Sequence, residues 1–142
     1  MTDIIVDRAD GWILSAYSWC RFPGKGKFYY HAVVEGRHTL IHRLIMNAKP
    51  NEFVDHINGD TSDNRRCNLR ICTLKENARN RRINRNSTTG FKGVTRSGDG
   101  RYRARIRTDN GRLHLGCFAT AEEAYHAYKI AAVKYHGEFA NY

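Results

Sequence analysis

The sequence predicts an α+β protein in two parts, and three patterns carry that expectation. Val54 to Ile57 and Leu69 to Cys72 are short apolar runs separated by polar turn residues and followed by a helix-capping pair, which reads as strand, loop, strand, helix. Arg101 to Arg107, R-Y-R-A-R-I-R, alternates basic and apolar side chains without a break, the period of a half-buried strand. Ala124, Ala127, Tyr128, Ala131 and Tyr135 then recur at helical spacing. The expected organisation is residues 1–80, a basic linker at 81–89, and a second module at 90–142 made of a three-stranded antiparallel sheet packed on one helix.

Taken in order, residues 1–24 carry Trp12, Tyr17, Trp19 and Phe22 among short polar pieces, which predicts a small packing element of core aromatics with Pro23-Gly24 as its turn. Lys27 to Val34 is rich in β-branched and aromatic residues, Glu35-Gly36 turns the chain, and Arg37 to Ile41 returns it as a hairpin, with His31 and His38 at the surface. His42 to Ala48 predicts a short helix stopped by Pro50, with His42 packed or hydrogen-bonded and given no catalytic task. Asn58-Gly59-Asp60 is turn chemistry, and Asn64 to Asn68 is a polar return. Thr73, with Glu76 three residues on, predicts a helix from about Leu74 to Arg82. Asn77 then lies one turn into a helix that can fold back on the strand bearing Asp55 and His56. Residues 81–89 are polar, basic and poor in apolar side chains, as in a linker. Gly90 to Thr95 predicts a first strand, Ser97 to Gly100 a turn, and Arg101 to Arg107 a second strand. Asp109-Asn110-Gly111 is a strong hairpin signal leading into a third strand, Arg112 to Phe118. Thr120 and Glu123 open the last helix with a capping box, and Gly137 ends it. The apolar parity of the strands should face that helix, which turns Arg101, Arg103, Arg105 and Arg107 outward.

Composition narrows the class. Hydrophobic residues at 41% and charged residues at 27% are those of a soluble globular protein. The net charge of +10 points to a polyanionic partner. Residues 1–53 hold seven basic and five acidic side chains, whereas Arg65 to Arg85 holds eight basic and one acidic, so the surplus begins at the Asp55–His56 region. A second surplus, seven basic against two acidic, lies in residues 91–116, and residues 117–142 have none. Cys20, Cys67, Cys72 and Cys117 form no C-x-x-C pair, which favours reduced, partly buried thiols over a zinc knuckle. The first ten residues are too acidic for a signal peptide, and no run approaches the ~20 apolar residues of a membrane helix, so an intracellular protein is expected.

The first part combines an acid, an imidazole and two amides. Asp55 precedes His56, Asn68 follows His56 by twelve residues, and Asn77 follows it by twenty-one. A carboxylate and an amide oxygen suit Mg²⁺ or Mn²⁺. An imidazole beside such a cation can take a proton from water at neutral pH, which is the pairing phosphodiester cleavage requires. Asp55-His56, Asn58-Gly59-Asp60, Asn64, Asn68-Leu69-Arg70 and Asn77 resemble the ββα-metal site of HNH endonucleases, and more narrowly the His-Asn-Asn branch of phage and intron-encoded homing endonucleases. The resemblance implies that His56 is the general base and that Asp55 and Asn77 ligate one divalent metal. It also implies that Asn68 braces the loop and orients His56. The third family letter is Asn here, which removes an imidazole ligand and disfavours Zn²⁺.

Residues 88–142 resemble the AP2 (ERF-type) DNA-binding domain through F-K-G-V, Y-R-A-R-I-R, L-H-L-G-C-F, T-A-E-E-A-Y-H-A-Y-K-I-A-A and H-G-E-F-A-N-Y. In that family the sheet lies in the major groove, which implies DNA contacts from Lys92, Arg101, Arg105, Arg107, Arg112 and His114. Three family contact positions are Thr95, Ser97 and Asp99 here, so no target sequence follows. Together the two parts resemble a phage or mobile-element HNH homing endonuclease acting on double-stranded DNA, located in the host cytoplasm if phage-encoded. One site per chain implies a nick unless the protein dimerises, and a monomer is expected. The second reading, from another class, is a DNA-binding regulator with an inert nuclease fold. An RNA-directed nuclease suits the sheet module less well.

Overall fold

A computed structural model describes residues 3–24, 26–80, 83 and 86–142. The chain divides into two compact units, Met1–Asn77 and Ala78–Tyr142, the first described with two small antiparallel sheets and short helices and the second with one antiparallel sheet and a longer helix, a mixed α+β organisation.

In the first unit a 3-10 turn, Arg8–Asp10, leads into helix α1, Trp12–Ala16. Strands β1 (Cys20–Pro23), β2 (Phe28–Val34) and β3 (Arg37–Leu40) form one antiparallel sheet in that order. Strand β1 departs from the expected small packing element of core aromatics. Its terminal Pro23 is tolerated because β1 is an edge strand, where a missing N–H costs little. The turn falls just beyond, with the Gly24 N–H donating to Lys27 O at 2.7 Å. Helix α2, Ile41–Ile45, follows directly on β3. Arg43 then holds the connection onward, its guanidinium donating to the carbonyls of Ala48, Lys49 and Glu52. Strands β4 (Phe53–His56) and β5 (Leu69–Cys72) pair antiparallel as a second sheet.

The core gathers Ile4, Ile13, Tyr30, Ile41, Ile45, Val54 and Leu69, with Tyr17 and Trp19 packed against it. Trp19 anchors itself by donating its indole N–H to Ile13 O at 2.9 Å. Trp12 and Phe22, expected in the core, are instead more than half exposed. Phe22 stands on the outer face of the first sheet, edge-on to His31. Helix α3, Leu74–Arg79, carries the expected capping box. Thr73 N–H donates to Glu76 Oε2 at 2.7 Å, and Glu76 N–H returns to Thr73 Oγ1 at 3.3 Å. The expected extension of this helix through Arg82, and most of the basic stretch of the linker, lie outside the described residues.

In the second unit strands β6 (Val94–Arg96), β7 (Tyr102–Thr108) and β8 (Gly111–Phe118) form an antiparallel sheet, and helix α4 (Ala121–His136) packs against all three. The first strand starts four residues later than Gly90. Gly93 has φ of +74°, and a Cβ there would stand 2.2 Å from the Tyr128 ring, so the chain bends at this point to let the helix approach. Strand β8 carries a bulge opposite Ala104/Arg105, with Ala104 facing Gly116 and Arg105 facing His114. Without that extra residue, Leu113 and Phe118 would point to opposite faces, because five residues separate them. With it, Leu113 pairs with Ile106 and Phe118 with Tyr102, while Leu115, the extra residue, and Phe118 pack against the core. The buried line of α4 is Ala124, Tyr128, Ala131, Ala132 and His136. Tyr135, expected on that line, is 39% exposed, because continuation at i+4 steps from Ala124 selects Ala132 and His136.

Candidate active site

Strands β4 and β5 set the first site. Their register places Asp55 directly opposite Arg70 and His56 opposite Leu69. Arg70 donates to Asp55 Oδ2 from Nη2 at 2.9 Å and from Nε at 3.2 Å, a cross-strand ion pair with both side chains nearly buried. His56 is 4% exposed, and its ring packs edge-on against His42 with centroids 5.0 Å apart. His56 Nε2 lies 3.1 Å from Asn64 Oδ1.

The loop between the strands is held by its own side chains. Asn68 Oδ1 accepts from Asn58 N–H at 3.0 Å, while Asn68 Nδ2 donates to Asp63 O at 2.7 Å. Asn58 Oδ1 accepts from Asp60 N–H, and Asp63 carries a two-pronged bond from Arg65 at 2.8 Å each. The loop is also tied to the start of the chain. Ile5 N–H donates to Ser62 O, Asn64 N–H donates to Ile5 O, and the Arg66 guanidinium clasps Asp10.

Electrostatics follow from this packing. Burial pushes the His56 imidazole below its usual range, against the opposing pull of the Asn64 hydrogen bond and the Asp55 charge. The ring is therefore neutral at pH 7 and able to accept a proton. His42 is driven further, down to about 3, first by burial and then by the neighbouring His56 and Arg43. The Arg65 bonds hold Asp63 below the ordinary carboxylate range, and the Ser62 hydroxyl does the same for Asp60. Burial, seconded by the Asp55 charge, raises the Cys72 thiol to about 11, leaving it protonated and inert.

The expected site residues thus gather unequally. Asp55 and His56 are adjacent on β4, and Asn68 braces the loop beside them. The partner of the His56 ring is Asn64, however, which the sequence reading quoted without a role. Asn77 lies on the first turn of α3, where its backbone N–H donates to Thr73 O at 3.0 Å. Arg70, quoted without a role, is a further neighbour, for which antiparallel pairing of the two apolar runs was the signal; His42, expected to be packed or hydrogen-bonded, packs on the His56 ring.

As ligands, a carboxylate and an amide oxygen are hard donors that fit Mg²⁺ or Mn²⁺ better than Zn²⁺. Among the described residues no three His, Cys, Asp or Glu side chains gather as a metal-binding group. A cation here would therefore be held by few protein ligands, and would meet Asp55 already paired with Arg70.

The second unit presents its basic residues on the sheet. Arg105 stands opposite His114 and Arg107 opposite Arg112, while Arg103 reaches Ser97 Oγ at 3.2 Å and Arg101 reaches Cys117 O at 3.1 Å. Two arginines directly opposite one another repel, so this face favours an anion. Lys92 is different. Its ammonium is turned inward onto Arg79 O at 2.8 Å and Asn141 O at 2.7 Å, and burial lowers it to about 8. It ties Asn141, next to the C-terminal residue, to Arg79 at the end of α3.

Comparison with known proteins bears on both units. Residues 39–79, from β3 through α3, match the HNH endonuclease family. An uncharacterised HNH endonuclease of Acanthamoeba polyphaga mimivirus is 32% identical over 137 residues, 92% of this chain and 70% of that protein. Two AP2-like ethylene-responsive transcription factors of Arabidopsis thaliana are each 52% identical over 50 residues, 33% of this chain but only 10% and 9% of their own lengths. No solved structure matches. No helix among the described residues is long and apolar enough to cross a membrane. With the mimivirus protein aligned over nearly the whole chain, and the family match falling on the strands and loop that hold Asp55 and His56, this chain belongs to the HNH endonuclease family.

Proposed function

We propose that the protein is a metal-dependent endonuclease that hydrolyses a phosphodiester bond in duplex DNA, of the His-Asn-Asn type found in homing endonucleases of phages and mobile elements. The observation that carries this reading is the buried, neutral His56 beside Asp55, with its Nε2 on Asn64. His56 takes the proton of the attacking water. Asn68 keeps the loop around it in shape. Asp55 and Asn77 would hold one Mg²⁺ or Mn²⁺, which supplies positive charge for the scissile phosphate and the leaving oxygen. On this reading strands β4 and β5 with helix α3 are the ββα-metal motif of residues 1–80, 81–89 is a linker, and 90–142 is an AP2-like module.

The module grips duplex DNA through Arg101, Arg105, Arg107, Arg112 and His114, while Lys92 serves the fold. Support comes from the Arg107–Arg112 pair, whose mutual repulsion a phosphate would relieve, and from the partial likeness to the plant factors. A sheet in the major groove can read base edges, with arginine to guanine the commonest specific pairing. One site in a monomer gives a nick. The alternative, a DNA-binding regulator with an inert site, draws on Arg70, since a carboxylate committed to a guanidinium binds a cation poorly. Supercoiled plasmid separates the two. Conversion to open circles with Mg²⁺ or Mn²⁺, stopped by EDTA, supports the nuclease; binding without any cutting in either metal supports the regulator.

A further inference from the structure

Asn64 lies in the polar return between β4 and β5, and its side chain is fully buried. The two ends of its amide meet different chemistry. Nδ2 donates to Ser62 O at 3.0 Å and to Thr61 O at 3.3 Å, while Oδ1 stands 3.1 Å from His56 Nε2. The amide cannot be turned round, because its oxygen would then face two carbonyl oxygens and its NH₂ would abandon both. Oδ1 is therefore the atom that His56 meets, and an acceptor there requires an N–H from the ring. The neutral imidazole is held with its proton on Nε2 and its lone pair on Nδ1.

We propose that Asn64 is the positioning residue of the general base: it fixes the His56 proton on Nε2, so that Nδ1 is the atom that takes the proton from the attacking water. The proposal rests on the reading of His56 as that base. Loop shape alone does not account for Asn64. Asn68 already braces the loop through Asn58 and Asp63, and the two bonds from Asn64 Nδ2 would be made whether or not Oδ1 faced a histidine. The backbone of Asn64 is fixed as well. Its N–H donates to Ile5 O at 2.7 Å, Ile5 N–H donates to Ser62 O at 2.9 Å, and Arg66 is clasped by Asp10 and bonded through its backbone N–H to Asp7. Residues 5–10 therefore act as a strap that holds the amide against the ring.

The test reads the tautomer directly. Long-range ¹H–¹⁵N spectra of the full-length protein labelled in its histidines, taken at a pH where the ring is neutral, should show His56 protonated on Nε2, with that N–H protected from exchange. The spectrum of His56→Gln assigns the signal. Asn64→Leu, of similar size but without an acceptor, should lose the protection. It should also slow plasmid nicking by about 10–100-fold at unchanged KM, the usual cost of losing a partner one step from the chemistry. A wild-type ring protonated on Nδ1 overturns the proposal, and needs no variant to fold. So does a folded Asn64→Leu that nicks at the wild-type rate. Failure of the underlying reading looks different: His56→Ala would still nick at full rate, while the Nε2–H signal of the wild type stayed as described.

Discussion

Acidification should unfold the first unit through His42, and the size of the effect can be worked out. The His42 ring is 5% exposed, packed between Tyr29 and His56, and its imidazole is held down to about 3. In the unfolded chain the same group titrates at about 6.5. Because the native value is the lower one, the stability from this group is complete above about pH 6.5 and is lost as pH falls toward about 3. Between pH 7 and pH 5 the unfolded state takes up nearly one proton that the native state refuses, which costs about 2 kcal/mol. His56 is shifted in the same direction and adds to the loss. Asp60 and Asp63 are also lowered, but they act only below the usual carboxylate range, outside this interval. The assay is urea unfolding followed by tryptophan fluorescence, which reports the first unit alone because both tryptophans, Trp12 and Trp19, belong to it. Wild type should lose at least about 2 kcal/mol between the two pH values, and His42→Phe should lose about 2 kcal/mol less than wild type, whatever its stability at pH 7. An identical acid loss in the two proteins would show that His42 is not held neutral by the fold.

Two further predictions address neighbouring features. Arg70→Met takes away the guanidinium that pairs with the nearly buried Asp55 carboxylate and should cost about 3–5 kcal/mol in the same fluorescence titration; a loss under about 1 kcal/mol would mark the pair as a solvated surface contact. Arg107→Ala and Arg112→Ala should each weaken duplex binding and flatten the slope of log affinity against log salt by about one where a phosphate contact is lost. Neither should destabilise the free protein, because each removes a like charge from directly opposite the other arginine. Unchanged affinity in both would reduce that face to a solvated surface.

Much of the fold was legible because it rests on local chemistry. The capping boxes at Thr73 and Thr120, the Asp109-Asn110 turn and the basic–apolar alternation of β7 are all decided within a few residues, and each has its counterpart in the structure. The departures lie where distant parts of the chain decide. Strand β1 exists because β2 offers it an edge, and nothing in C-R-F-P announces it. The late start of β6 depends on Tyr128, which arrives from a helix far along the chain to crowd Gly93. Phe22 and Trp12 look like core residues by type, yet they fall on faces left more than half exposed among the described residues.

The site follows the same rule. Asp55 and His56 were marked by adjacency, and Asn68 by its spacing from His56. The roles of Asn64 and Arg70 depend on a loop closing and two strands coming into register. Lys92 was expected at DNA by resemblance of position, but its neighbours at Arg79 and Asn141 come from outside its own segment.

The central claim is that His56 performs chemistry. Single-turnover nicking of supercoiled plasmid by His56→Ala, compared with wild type in Mg²⁺ and at a protein concentration that saturates the DNA, tests it most directly. The account predicts a rate lower by about 10²–10⁴-fold, the usual worth of general acid–base catalysis, with plasmid binding unchanged. Nicking at the wild-type rate by the folded variant would contradict it.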